Sequence, residues 1–279
     1  MRKRNHKFMP ISVLLILLVK VDIGIAIELG KFEDHRHDTP TTSEGAKRTP
    51  QSATISSEVI YGQSGDQLHT GYLSQPKNIK AKSALIVIHE WWGLNEDIHL
   101  MANQLAGLGY SALAVDLYDG QSATKPKDAY QLSTNLSNNE ATALANLKTA
   151  YDYLKNEVGA EKIGIIGWCL GGKWSLRGAL MLPKDIDAAV IYYGSLIDDK
   201  EKLATLEMPI IGFVGTKDRL HKQFITFDED LKELDKNASI HFYNGARHAF
   251  ANASGTAYEP VAAEDSWQKT VRFLAEHLD

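Results

Sequence analysis

Three residues of the types that cooperate in acyl transfer occur in a telling order along the chain: Cys169, Asp218 and His248. Cys169 is the only cysteine and lies in Gly167-Trp168-Cys169-Leu170-Gly171-Gly172. An apolar, strand-like run, Lys162-Ile163-Gly164-Ile165-Ile166, leads into it, and a helix-like stretch, Lys173 to Met181, leads out. A residue on a sharp strand-to-helix turn between glycines has the pattern of a nucleophile elbow. The glycines are expected to permit a tight backbone and to leave room for a substrate. The thiol would project at a helix N-terminus, whose partial positive charge favours a thiolate. Such a nucleophile needs a base, and the base needs a partner that fixes its tautomer. Asp218 follows the strand-like run ending Val214-Gly215, and His248 follows the last strand-like run, in Gly245-Ala246-Arg247-His248-Ala249-Phe250. Taken singly, Asp218 reads equally well as a turn or helix-cap residue, and His248 is one of 10 histidines. Their shared placement after strands, downstream of the elbow, is what singles them out. No Gly-x-Ser-x-Gly offers a competing serine.

These side chains need a scaffold that brings distant segments together. Glu58-Val59-Ile60-Tyr61 and Leu68 to Leu73 flank Gln63-Ser64-Gly65-Asp66, which predicts a β-hairpin. Ser83 to His89 reads as a buried strand, and Ile98, Met101, Leu105 and Leu108 recur with helical spacing before Gly109. Ala112 to Leu117 is the next strand, and Asp119 to Lys127 a polar loop long enough to form a rim or lid. Leu144, Leu147, Tyr151, Leu154 and Val158 make one helical face. After the elbow come strands at Ala188 to Tyr193, Pro209 to Gly215 and Ile240 to Tyr243, a helix holding Leu231 and Leu234, and a C-terminal amphipathic helix through Trp267, Val271, Leu274 and Leu278. Apolar strands alternating with helices predict an α/β fold: a mostly parallel sheet with helices on both faces. Such sheets place ligands at the C-terminal edge of their strands. Nucleophile, acid, histidine is also the chain order of an α/β-hydrolase fold.

Composition narrows the function classes. The chain has 279 residues, 44% hydrophobic and 23% charged, with a net charge of −5. With no basic tract in the folded part, no nucleic-acid partner is expected. One cysteine excludes an intrachain disulfide and a cysteine-built zinc site, and no His-x-x-x-His occurs, so no metal is expected. The N-terminus is basic over Met1 to Lys7, apolar over Phe8 to Val19, and ends in the small-residue stretch Gly24-Ile25-Ala26. That layout predicts a signal peptide over 1–26 and an exported protein, periplasmic or secreted. The competing reading is an N-terminal membrane anchor. Lys20 and Asp22 leave the run short of the roughly 20 apolar residues that a span needs, so no stable membrane insertion is expected after cleavage. Residues 27–57 are polar and without hydrophobic period, which predicts a disordered linker ahead of a domain over 58–279.

Taken together, Ile88-His89-Glu90-Trp91-Trp92-Gly93-Leu94-Asn95, Asp116-Leu117-Tyr118, the Cys169 elbow, Asp218 and Arg247-His248-Ala249-Phe250 resemble the dienelactone hydrolase family from about Glu58 to Asp279. The resemblance implies an α/β-hydrolase fold and cleavage of a lactone or ester through an acyl-cysteine, with no cofactor. It gives Glu90 the role of controlling ionisation of the thiol, since a nearby carboxylate raises the cost of a thiolate. The oxyanion donors would be the backbone N–H groups of Leu170 and Trp91. Trp92, Tyr118 and Phe250 are the candidate pocket residues.

The sequence departs from the family at two arginines that hold a substrate carboxylate. The chain has Asp119-Gly120 where one belongs and Ala251-Asn252 where the other does. Arg219 and Arg247 are the nearest substitutes by sequence. Asn135, Asn237 and Asn252 each begin a glycosylation sequon, read as chance matches. The expected protein is a monomeric hydrolase of a small ester or lactone. A catalytically weak ligand-binding protein on the same fold is the alternative.

Overall fold

A computed structural model describes Pro40 and residues 49–279, within a compact unit spanning Thr39–Asp279. The expected signal peptide and most of the expected linker lie outside the described residues. Eight strands form one sheet: β1 (Thr54–Ser64), β2 (Gln67–Pro76), β3 (Ser83–Ile88), β4 (Ser111–Val115), β5 (Lys162–Trp168), β6 (Ala188–Tyr192), β7 (Ile210–Gly215) and β8 (Ala238–Tyr243). Their spatial order is β1-β2-β4-β3-β5-β6-β7-β8. β1 pairs antiparallel with β2, and β2 with β4. Every other neighbouring pair is parallel.

The helices are α1 (Glu96–Gly107), α2 (Pro126–Asn138), α3 (Glu140–Tyr153), α4 (Leu170–Met181), α5 (Lys200–Ala204), α6 (His221–Glu233) and α7 (Pro260–Leu278). A single π-helical turn, Leu154–Val158, continues α3. The side-chain alternation of β3 shows how both faces of the sheet are covered. Ala84, Ile86 and Ile88 pack in one core with Leu147 of α3, Leu176 of α4 and Phe224 of α6. Leu85 and Val87 pack in the other with Ile98 and Leu105 of α1 and Trp267 and Leu274 of α7. All six β3 residues are buried, and each large aliphatic side chain there contributes about 1.5–3 kcal/mol.

Two expectations are corrected. The first strand starts at Thr54 rather than Glu58, because Lys77 N–H donates to the Ala53 carbonyl and the antiparallel register runs from Thr54↔Pro76. The segment after Pro126, left without structure by the sequence reading, is helix α2. Only Ala129 and Leu136 of that helix are buried, too sparse a set to register as a period. The Asp119 to Lys127 loop is anchored at its middle, where Ala123 N–H donates to the Trp92 carbonyl at 2.8 Å.

Candidate active site

β5 delivers Cys169 to the C-terminal edge of the sheet and α4 starts at the next residue. Cys169 has φ 54° and ψ −111°, a left-handed backbone that a residue with a Cβ adopts only when its surroundings enforce it. Its N–H donates to the Tyr192 carbonyl at 3.0 Å, and its carbonyl accepts from Lys173 at 3.2 Å. The glycines work differently from the expectation. Gly167, Gly171 and Gly172 have no positive φ. They are small because backbones meet there. A Cβ on Gly171 would fall on the Ile88 carbonyl oxygen, one on Gly167 on the backbone of Gly171, and one on Gly172 on the Tyr192 carbonyl oxygen. The first turn of α4 is therefore pressed against β3, β5 and β6.

Asp218 and His248 arrive from the loops after β7 and β8. Cys169 Sγ lies 3.1 Å from His248 Nε2, and His248 Nδ1 lies 2.8 Å from Asp218 Oδ2. With Asp218 ionised, Nδ1 carries the proton and donates it, so Nε2 has the lone pair that accepts from the thiol. Asp218 Oδ1 also accepts from Leu220 N–H at 2.8 Å, so the carboxylate both closes a turn and contacts His248. Asp218 and His248 are buried, and Cys169 is half-buried.

Glu90 stands beside the thiol because of sheet register. Ile88 of β3 pairs with Gly167 of β5, and Glu90 and Cys169 each lie two residues further on. Burial pushes the Cys169 thiol well above its ordinary pKa. The Glu90 carboxylate raises it further, while Arg219 and the Leu170 N–H, which donates to the sulfur, oppose the shift. The helix N-terminus alone therefore does not yield a resting thiolate. Glu90 is held by Asn252, whose side-chain N–H donates to Oε2. Asn252 Oδ1 accepts from Ser254 N–H at 2.9 Å and Ser254 Oγ at 2.7 Å, and Ser254 Oγ reaches Asp97 Oδ2 at 2.8 Å. The Asn252 sequon is thus an internal turn whose amide is engaged at both ends.

His89 fixes the backbone before the site. Burial holds its pKa below the ordinary value. Its Nε2 accepts from Leu117 N–H at 3.2 Å and its Nδ1 donates to the Glu90 carbonyl at 2.6 Å. Gly93 N–H closes a turn onto the same carbonyl, and the Tyr118 hydroxyl donates to the Trp91 carbonyl at 3.2 Å. The segment that carries Trp91 is therefore pinned from two sides.

The three candidate pocket residues sit inside. Phe250 is fully buried, with its ring against Tyr193 and Tyr243. Trp92 is buried with Ala123 and Ala129, and buried Tyr118 packs tilted on His89. All three are buried, and Tyr118 also lines a pocket with Leu117 and Leu132. Sequence reasoning missed Tyr193. This residue immediately follows β6 with φ 35° and places its ring edge-on to His248 at 5.3 Å. An aromatic at the C-terminal end of a central strand was the available signal. The arginine substitutes are also placed: both are exposed, and the Arg247 guanidinium donates to the Thr256 carbonyl at 2.7 Å. Among the described residues, no group of three or more His, Cys, Asp or Glu is placed to hold a metal ion.

A mostly parallel sheet with a strained turn between its central strand and helix places the chain among the α/β-hydrolases. Within them it belongs to the dienelactone hydrolase family, which its sequence matches over residues 69–278. It is 34% identical over 221 residues to "Protein usf" of Aquifex pyrophilus, covering 75% of this chain and 93% of that one. It is 29% identical over 222 residues to a Bradyrhizobium protein named "Probable 2-oxo-3-(5-oxofuran-2-ylidene)propanoate lactonase", covering 74% and 89%. The fold is shared with dienelactone hydrolase from Anabaena variabilis, at a TM-score of 0.64 and 20% identity over 81% of this chain and 99% of that one. It is shared as well with a dienelactone hydrolase-like promiscuous phosphotriesterase from metagenomic libraries, at 0.73 and 20% over 81% and 100%.

Proposed function

We propose that this hydrolase cleaves small carboxylic esters or lactones through an acyl-cysteine at Cys169. The observation that carries the reading is the continuous chain of contacts from Cys169 Sγ through His248 to Asp218. Family membership supports the bond class, and the lactonase name of the Bradyrhizobium relative supports a ring ester among the substrates.

His248 Nε2 takes the thiol proton as sulfur attacks the carbonyl carbon. The carbonyl π pair moves onto oxygen, where the N–H groups of Leu170 and Trp91 receive it. The carbonyl re-forms, the C–O bond breaks, and His248 gives its proton to the departing oxygen. Water then attacks the thioester, His248 removes its proton, and the thiol leaves with that proton restored. Asp218 keeps Nδ1 protonated throughout. Burial, reinforced by Glu90, disfavours the resting thiolate, which protects the sulfur from oxidation between turnovers.

The test is an acid quench during turnover of p-nitrophenyl acetate, followed by peptide mass spectrometry. An acetyl group on the Cys169 peptide is the expected result. Steady turnover with no acyl adduct at Cys169 would overturn the mechanism.

Glu90→Gln isolates the electrostatic brake. Removing one negative neighbour lowers the thiol pKa, so the pH profile of iodoacetamide alkylation shifts to lower pH. At neutral pH the rate should rise about tenfold, the equivalent of one pKa unit. An unshifted profile would show that Glu90 does not hold the proton on sulfur.

A further inference from the structure

On the α1–α7 face of the sheet lies a cavity of about 80 Å³. It is lined by Ile98 and Met101 of α1, Ala263 and Trp267 of α7, Trp168 at the end of β5 and Tyr193 just beyond β6. Cys169 packs against the same hydrophobic cluster as these aromatic residues. Two walls are shared with the triad's surroundings: Glu90, whose charge acts on the thiol, and Tyr193, whose ring meets His248.

The charged residues lining the cavity are Glu90 and Asp97; no lysine, arginine or histidine lines it. Two carboxylates in the wall of a largely apolar cavity repel an anion, because burial weakens the screening that water would provide. At about 10–15 Å³ of such space per water-sized group, the cavity suits a short chain of a few carbons. Neither His248 nor Cys169 lines the cavity, but Cys169 directly follows the lining residue Trp168 and packs against the same aromatic cluster. An acyl group carried on that sulfur is the part of a substrate nearest the cavity.

We propose that this cavity is the acyl subsite, and that it selects a short, apolar, uncharged acyl group. The proposal rests on the acyl-cysteine reading above. It inverts the preference that carboxylate-binding arginines would impose: here the polar clamp on Glu90 is the amide of Asn252, which offers an acid no cation.

The experiment compares p-nitrophenyl acetate, butyrate, octanoate and hydrogen succinate. For the wild type, kcat/KM should be highest for butyrate, with octanoate and succinate each lower by about tenfold or more, within the range for a change in pocket fit. Ala263→Leu fills the cavity and should move the optimum to acetate. Met101→Ala enlarges it and should raise octanoate relative to butyrate. Should Ala263→Leu fail to fold, Met101→Ala still decides the matter. Ester turnover that depends on Cys169, with an unchanged chain-length profile in the folded variants, overturns the subsite alone. Succinate turned over as fast as butyrate overturns the charge selection. Absence of any Cys169-dependent turnover overturns the acyl-cysteine reading itself.

Discussion

Cys169→Ala is expected to lower kcat/KM for an activated ester by about 10³-fold or more, while the fold is kept. The side chain is half-buried and loses only a sulfur, and alanine relieves none of the contacts that force the turn. Replacing the base, in His248→Ala, should cost about as much, and the double variant little more, because members of a triad act as one unit. Additive losses would mean that the two residues serve separate steps. A loss below about tenfold in Cys169→Ala would place the nucleophile elsewhere. Purified variants assayed with p-nitrophenyl acetate, with far-UV circular dichroism as the folding control, decide between these outcomes.

Gly171→Ala is expected to damage the site more than its single methyl suggests. The new Cβ would meet the carbonyl oxygen of Ile88, and then that of His89. Both belong to backbone, which cannot rotate out of the way. Helix α4 must move off β3 and take the Leu170 N–H with it. Overpacking of this kind costs about 1–3 kcal/mol, read as a fall of several degrees in Tm. Activity should fall further, by about a hundredfold, because an oxyanion donor displaced by an ångström no longer meets its target. Gly65→Ala is the control. Unlike Gly171, Gly65 has a positive φ, but nothing lies within 4 Å of the position of its Cβ. It should cost roughly 1 kcal/mol or less through backbone strain and leave activity unchanged. Equal losses of activity in the two variants would refute the packing account.

The sheet, and the meeting of Cys169, Asp218 and His248 at its edge, could be read in advance because they follow from local signals. β3 and β5 are short apolar runs with definite ends, and Cys169, Asp218 and His248 each come shortly after such a run. What escaped depends on which way a residue points or on what lies far along the chain. The Asn252–Glu90 contact joins residues 162 apart, and no local pattern in either segment announces it. Phe250 follows His248 closely, yet Ala249 turns with φ 61° and Phe250 goes into the core. Sequence adjacency to His248 says nothing of that turn. The elbow glycines were identified correctly, but the reason assigned to them was conformational freedom. Close helix-to-strand approach appears only once β3 is known to lie beside β5.

The placement of side chains on different elements has an evolutionary consequence. Cys169, Asp218, His248 and Glu90 all sit just beyond strand ends at one edge of the sheet, locked by its register. Much of the cavity wall instead comes from α1 and α7, which lie on one face and meet the sheet through side chains. Substitutions on those helices alter the shape of the chamber without touching a ladder hydrogen bond. Helix surfaces are thus a route by which the shape of the chamber can change while the residues at the strand ends stay in place.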